Sequence, residues 1–153
     1  SSALVEMVDR LALTTGTQIV PEAKAARGYR YEPDKFGISG FTPIASETVA
    51  APRAAECPVQ MEAVVESIRG LAEGDPVMRG RTDLIELRIV RVHVDPAIRM
   101  DGFDNRIDPD KWRPLIMSFQ EYYGLTGKVG PSLLGTVPEA LYRSPDVDRA
   151  RAA

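Results

Sequence analysis

The chain has 153 residues, enough for one domain with one core, and its 44% hydrophobic and 27% charged residues are the balance of a globular protein. A net charge of −3, with both signs scattered along the chain, argues against a nucleic-acid surface and supplies no basic run for an anionic membrane. Apolar runs of only a few residues exclude a transmembrane helix, and the start Ser1-Ser2-Ala3-Leu4-Val5-Glu6 lacks the basic and long apolar regions of a signal peptide.

Residues Ala3 to Leu13 place Leu4, Val5, Val8, Leu11 and Ala12 at helical spacing, with Ser2 as N-cap and Gly16 as stop. Residues 14–33 read as a surface loop with a short helix around Glu22 to Ala26. An irregular stretch that long is either a functional lid or a segment covered by a partner. Asp34 to Pro43 sets Phe36 and Phe41 among two glycines and a proline, which predicts a tightly turning loop packed on something apolar. Ile44 to Ala55 reads as extended and irregular.

From Cys57 the pattern changes. Cys57, Val59, Met61, Ala63 and Val65 alternate with Gln60, Glu62 and Glu66, the period of a half-buried strand. Gly70, Gly74 and Pro76 end it. A second strand runs from about Thr82 to Asp95, and its alternation slips at Ile89-Val90, which predicts a β-bulge. Two long strands joined by such a loop predict an antiparallel pair, as in a barrel. Further on, Asp108-Pro109 is set to cap and start a short helix carrying Trp112. Leu115 to Tyr123 is strongly apolar and aromatic, and Pro138 to Tyr142 reads as a helical turn. The fold class is therefore mainly β, with peripheral helices.

Cys57 is the only cysteine and His93 the only histidine. No internal disulfide and no zinc site of the usual kind follows, and a reducing, cytoplasmic setting is expected.

Four segments in order resemble the flavin reductase-like family of FMN-binding split β-barrels. They are Asp34-Lys35-Phe36 with Ser39-Gly40-Phe41-Thr42-Pro43; Pro52 to Glu62; Ile89 to Asp95; and Ile107-Asp108-Pro109 with Pro114 to Phe119 and Tyr122-Tyr123-Gly124. The resemblance covers residues 34–125 as the family core of a single domain. Residues 1–33 form a leading helix and loop, and 126–153 a tail. It implies non-covalently bound FMN, a reduced nicotinamide (NADH or NADPH) as co-substrate, and a homodimer with flavin near the interface. Nothing in the 153 residues matches the strands that hold the flavin phosphate in relatives, so the chain is expected to be a C-terminal portion of the barrel, incomplete at its N-terminus. A half barrel exposes strand edges and an apolar face, and needs a partner.

The resemblance points to six cofactor-binding residues and leaves the catalytic ones unassigned. Lys35, Phe36 and Thr42 lie on the loop over the flavin, with Phe36 on the ring and Thr42 bonded to a ring heteroatom. The alternative is that Phe36 and Phe41 plug the barrel end. His93 either donates a hydrogen bond to flavin or nicotinamide, or is bonded to a neighbouring carboxylate. Tyr122 and Tyr123 either line the pocket of the neighbouring subunit or pack its interface. Arg53 either grips a phosphate or forms a structural ion pair. The expected function is an FMN-binding oxidoreductase, with a non-catalytic flavin carrier or an apo half-barrel interaction module as alternatives; neither nucleic acid nor membrane is an expected partner.

Overall fold

The computed structural model describes residues 2–103, 105–141, 143–145 and 148–149. Helix α1 (Ser2–Asp9) leads. It stops at Asp9 rather than Leu13, because single turns replace it and Leu13 adopts a left-handed φ of 54°. Strand β1 (Thr14–Thr15) pairs in parallel with β2 (Arg30–Tyr31), and the short helix α2 (Glu22–Ala25) lies between them as expected.

The expected turning loop after Asp34 is instead largely helix. Helix α3 (Lys35–Ser39) starts where the Asp34 carboxylate accepts the Gly37 N–H at 2.8 Å, and ends where Gly40 takes a left-handed φ of 79°. Those two residues cap a helix too short for periodicity to reveal. The stretch read as irregular contains a second small pair, β3 (Pro43–Ile44) antiparallel to β4 (Arg53–Ala54). The predicted helix at Asp108-Pro109 is a single turn, closed by Trp112 N–H on Asp108 O at 2.9 Å. The apolar run at 115–123 forms the hairpin of β7 (Leu115–Ser118) and β8 (Glu121–Gly124). Its turn residues Phe119 and Gln120 both have positive φ, 50° and 68°. The tail carries short 3-10 turns at Leu133–Thr136 and Glu139–Leu141; Tyr142 lies outside the described residues.

The centrepiece is the antiparallel ribbon of β5 (Val59–Gly70) and β6 (Asp83–Val94). Its register shifts twice, between Glu62 and Ala63 and between Val65 and Ser67. The first shift leaves Val90 unpaired between Ile89 and Arg91, at the place where the alternation slips in sequence. The bulges keep one face apolar. Met61 opposes Val92, Ala63 opposes Ile89, Val65 opposes Leu87 and Ile68 opposes Ile85, so apolar side chains stay on one face through both slips. Gln60 with His93, and Glu62 with Arg91, occupy the other.

The described chain leaves most of the apolar face uncovered. Exposure there runs from 51% at Val92 to 63% at Ile68 among the large side chains. Among the described residues no apolar side chain is buried, and the total accessible surface is 12014 Å². A compact monomer of this mass exposes roughly 7,600 Å². Among the described residues the sheets are two-stranded and the barrel is open.

Candidate functional site

Among the described residues the two buried side chains are polar, Ser39 and Glu62. Ser39 closes α3 on itself, donating its hydroxyl to Lys35 O at 2.7 Å, while Arg10 of the segment after α1 donates to Ser39 O at 3.4 Å. Glu62 is the hub of a larger network on the polar face of the ribbon.

The Glu62 carboxylate accepts the Glu47 N–H at 2.9 Å and the Thr48 N–H at 2.7 Å, together with the Thr48 hydroxyl. His93 Nε2 lies 2.6 Å from Glu62 Oε1, and Arg53 Nε lies 3.4 Å from that oxygen. Arg53 spends its other donors on Gln60 Oε1 and Ala45 O, both at 2.9 Å. Around the rim, Glu47 pairs with Arg91 at 3.1 Å and lies 3.7 Å from His93 Nδ1. Burial opposes the charge on Glu62, but hydrogen bonds from Thr48, the Glu47 N–H and His93 outweigh it and hold the carboxyl well below the usual carboxylate range.

Two cavities adjoin this network. One of about 280 Å³ is lined by Glu56, Cys57, Gln60, His93 and Asp95. The other, of about 390 Å³, lies between the 45–52 loop and β5, with Ser46, Val49, Arg53, Glu62 and Leu87 in its walls. Thr42 reaches the first through Glu56, whose carboxylate accepts the Thr42 N–H at 3.0 Å. Hydrogen bonding to Thr42, side chain first and then N–H, keeps Glu56 below the ordinary range. Burial, helped by the Glu56 charge, pushes the Cys57 thiol up.

Five of the six residues singled out in the sequence fall into two groups. His93 lines the 280 Å³ cavity, and Thr42 is tied by its N–H to Glu56 in the cavity wall. Lys35, Tyr122 and Phe36 belong to the α1–α3 side: the Lys35 ammonium donates to Thr14 Oγ1 at 2.5 Å, Tyr122 OH lies 3.5 Å from Asp9 Oδ1, and Phe36 is half-buried on α3. Partial burial and the Asp9 carboxylate both push the Tyr122 phenol up. Tyr123 is exposed on β8, opposite Ile116. His93 and Arg53 both make the carboxylate contacts weighed for them, with Glu62 as the shared partner.

Glu62, Glu47, Thr48 and Arg91 did not stand out in the sequence. Glu62 read as one of the outward polar residues of an alternating strand, yet the structure buries it. The available signal was its place on the same strand face as Gln60, across from the segment holding Arg91 and His93.

The architecture is that of a split barrel, left open among the described residues. Nitrilotriacetate monooxygenase component B from Bacillus cereus superposes with a TM-score of 0.60 at 22% identity, covering 86% of this chain and 56% of that one. The 2-nitrobenzoate 2-nitroreductase NbaA of Pseudomonas fluorescens superposes with a TM-score of 0.56 at 20% identity, over 81% of this chain and 61% of that one. These likenesses define the fold. In sequence, the chain is 35% identical over 127 residues to the uncharacterized protein YdfE of Bacillus subtilis (strain 168), across 83% of this chain and 58% of that protein. The chain thus spans 58% of the length of this curated relative. No family model matches it. Among the described residues, no helix is long and apolar enough to cross a membrane, and no cluster of three or more His, Cys, Asp or Glu is placed to hold a metal.

Proposed function

We propose that this chain is the C-terminal portion of an FMN-binding, NAD(P)H-dependent oxidoreductase of the flavin reductase-like kind, working as a cytoplasmic homodimer. The observation that carries the reading is the open split barrel in which His93 lines a cavity whose wall residue Glu56 accepts the Thr42 N–H. It is supported by the fold shared with a monooxygenase component and a nitroreductase.

The residues fit the ring half of a flavin better than its phosphate half. Phe36 is half-buried with an aromatic face to offer, and His93 borders the cavity through an imidazole anchored from behind by Glu62. Arg53 is no phosphate grip, since its terminal nitrogens donate to Gln60 and Ala45 and its charge is paired with Glu62. Lys35 carries a positive charge whose bond is to a neutral hydroxyl, so it is the better anion partner. A bound flavin supplies the hydride-accepting ring. The chain's own groups orient that ring and screen it from water.

The apolar face of the ribbon supports the homodimer. Seven large apolar side chains on it, Met61, Val65, Ile68, Ile85, Leu87, Ile89 and Val92, are each more than half exposed, a patch of the kind that marks a protein–protein interface. The same face favours one second reading, a half-barrel that serves only as a dimerisation module.

Purified protein scanned through the flavin bands separates the two. The oxidoreductase reading expects a yellow protein, or one that takes up added FMN, and bleaching by NADH or NADPH without oxygen. A colourless dimer that binds no FMN leaves the module reading standing instead.

A further inference from the structure

We infer that Glu62 is a positioning residue, one buried carboxylate that fixes both the His93 imidazole and the 45–52 loop at the cavity wall. The inference stands on the geometry of this chain and requires no flavin.

The groups around Glu62 come from three separate parts of the chain. Glu47 and Thr48 belong to the loop between β3 and β4, Arg53 to β4 and His93 to β6. Each presents a donor or a positive charge to it. Backbone N–H groups of consecutive residues with a hydroxyl beside them form an anion-binding nest, and here the anion is a side chain of the same protein. Only the ionised carboxylate accepts on both oxygens at once. A glutamine in its place turns an NH₂ group toward N–H donors on one side or the other.

Two features set this apart from an ion pair that merely fills space. Arg53 Nε makes no hydrogen bond to Glu62 and is left without any hydrogen-bond partner, so the strongest contacts go to the loop and to His93 rather than to the formal counterion. Of the groups bonded to Glu62, His93 is the one that lines the 280 Å³ cavity, and its Nε2 is turned away to Glu62. Accepting from Nε2 places a proton there and leaves Nδ1 beside Glu47. The charged and titratable groups facing the pair are Glu47, Arg53 and Arg91. The loop held by the same carboxylate walls the second cavity, so one residue sets the shape of both.

Because His93 is the only histidine, its imidazole signals in ¹H–¹⁵N spectra need no assignment. In the wild-type chain the latch gives an observable imidazole N–H proton and slow exchange at the Glu47 and Thr48 amides. In Glu62→Gln the imidazole proton is lost to solvent exchange and the two amides exchange at least tenfold faster, while the amides of the β7–β8 hairpin keep their rates. Wild-type behaviour at His93 and at both amides in a folded Glu62→Gln protein overturns the inference. If that variant does not fold, Thr48→Val decides. It keeps the carboxylate and removes one donor, so the Thr48 amide speeds up while the His93 signal persists; unchanged exchange at Thr48 overturns the inference.

Discussion

The two faces of the β5–β6 ribbon solve opposite problems. On the polar face, Glu62, His93, Arg91 and Arg53 find partners within the chain, several of them in the nearby 45–52 loop. On the apolar face, Met61, Val65, Ile68, Ile85, Leu87, Ile89 and Val92 align through two bulges and stay more than half exposed. Hydrogen bonds are short-ranged and can be satisfied by one loop. Apolar area is removed from water only by a second layer of comparable size. The comparison therefore locates what the ribbon lacks as another protein surface, and places the chemistry-bearing groups on the side it completes by itself.

The largest effect is expected on the apolar face. Leu87→Glu puts a charge on the face proposed to pack against a second copy, and should convert the proposed dimer to monomer or aggregate at every accessible concentration, as read by gel filtration. Glu86→Gln, one residue away on the opposite face, should leave the assembly intact. A dimeric Leu87→Glu protein would move the interface elsewhere.

Next comes acid stability. Glu62 is held below the usual carboxylate range, so its contribution is fully present above the ordinary value of about 4.3 and is lost as pH falls through the depressed value. Thermal melts of Glu62→Gln should lie below wild type at neutral pH, with the gap closing on strong acidification. A gap independent of pH would assign the loss to packing rather than charge.

Flavin binding should respond more modestly. Phe36→Ala is expected to weaken FMN binding about tenfold or more, roughly 1.4 kcal/mol, and Trp112→Ala much less. Equal losses in a fluorescence titration would point to general destabilisation. The smallest effects belong to turns. Gly40→Ala, at φ 79° and with its new Cβ 3.2 Å from Arg10 Nη1, should destabilise by about 1 kcal/mol. Gln120→Gly should stabilise the β7–β8 hairpin by roughly 0.5–1 kcal/mol, because Gln120 sits at φ 68°.

Much of the ribbon was legible in the sequence because strand periodicity survives translation into structure. The alternation of 57–66, the loop of 71–82 and the slip at Ile89-Val90 all reappear as strands, connection and bulge. The short elements were not legible. Helix α3 has five residues, too few for a periodic signal, and its caps at Asp34 and Gly40 read equally well as turn residues. The burial of Glu62 was hidden for a different reason. Alternation marks polar residues as outward, and what covers Glu62 is a loop whose path depends on the β3–β4 pairing. His93 drew notice because it is the lone histidine; the carboxylate behind it did not, because 22 acidic residues look alike in a sequence.

The mass of the wild-type protein in solution, from light scattering, tests the two-face account most directly. The account predicts a stable dimer, at twice the 16.8 kDa of the chain, that stays intact on dilution to low micromolar concentration. A monodisperse, compact monomer at 16.8 kDa would contradict it, because such a particle would have to bury the apolar face within a single chain.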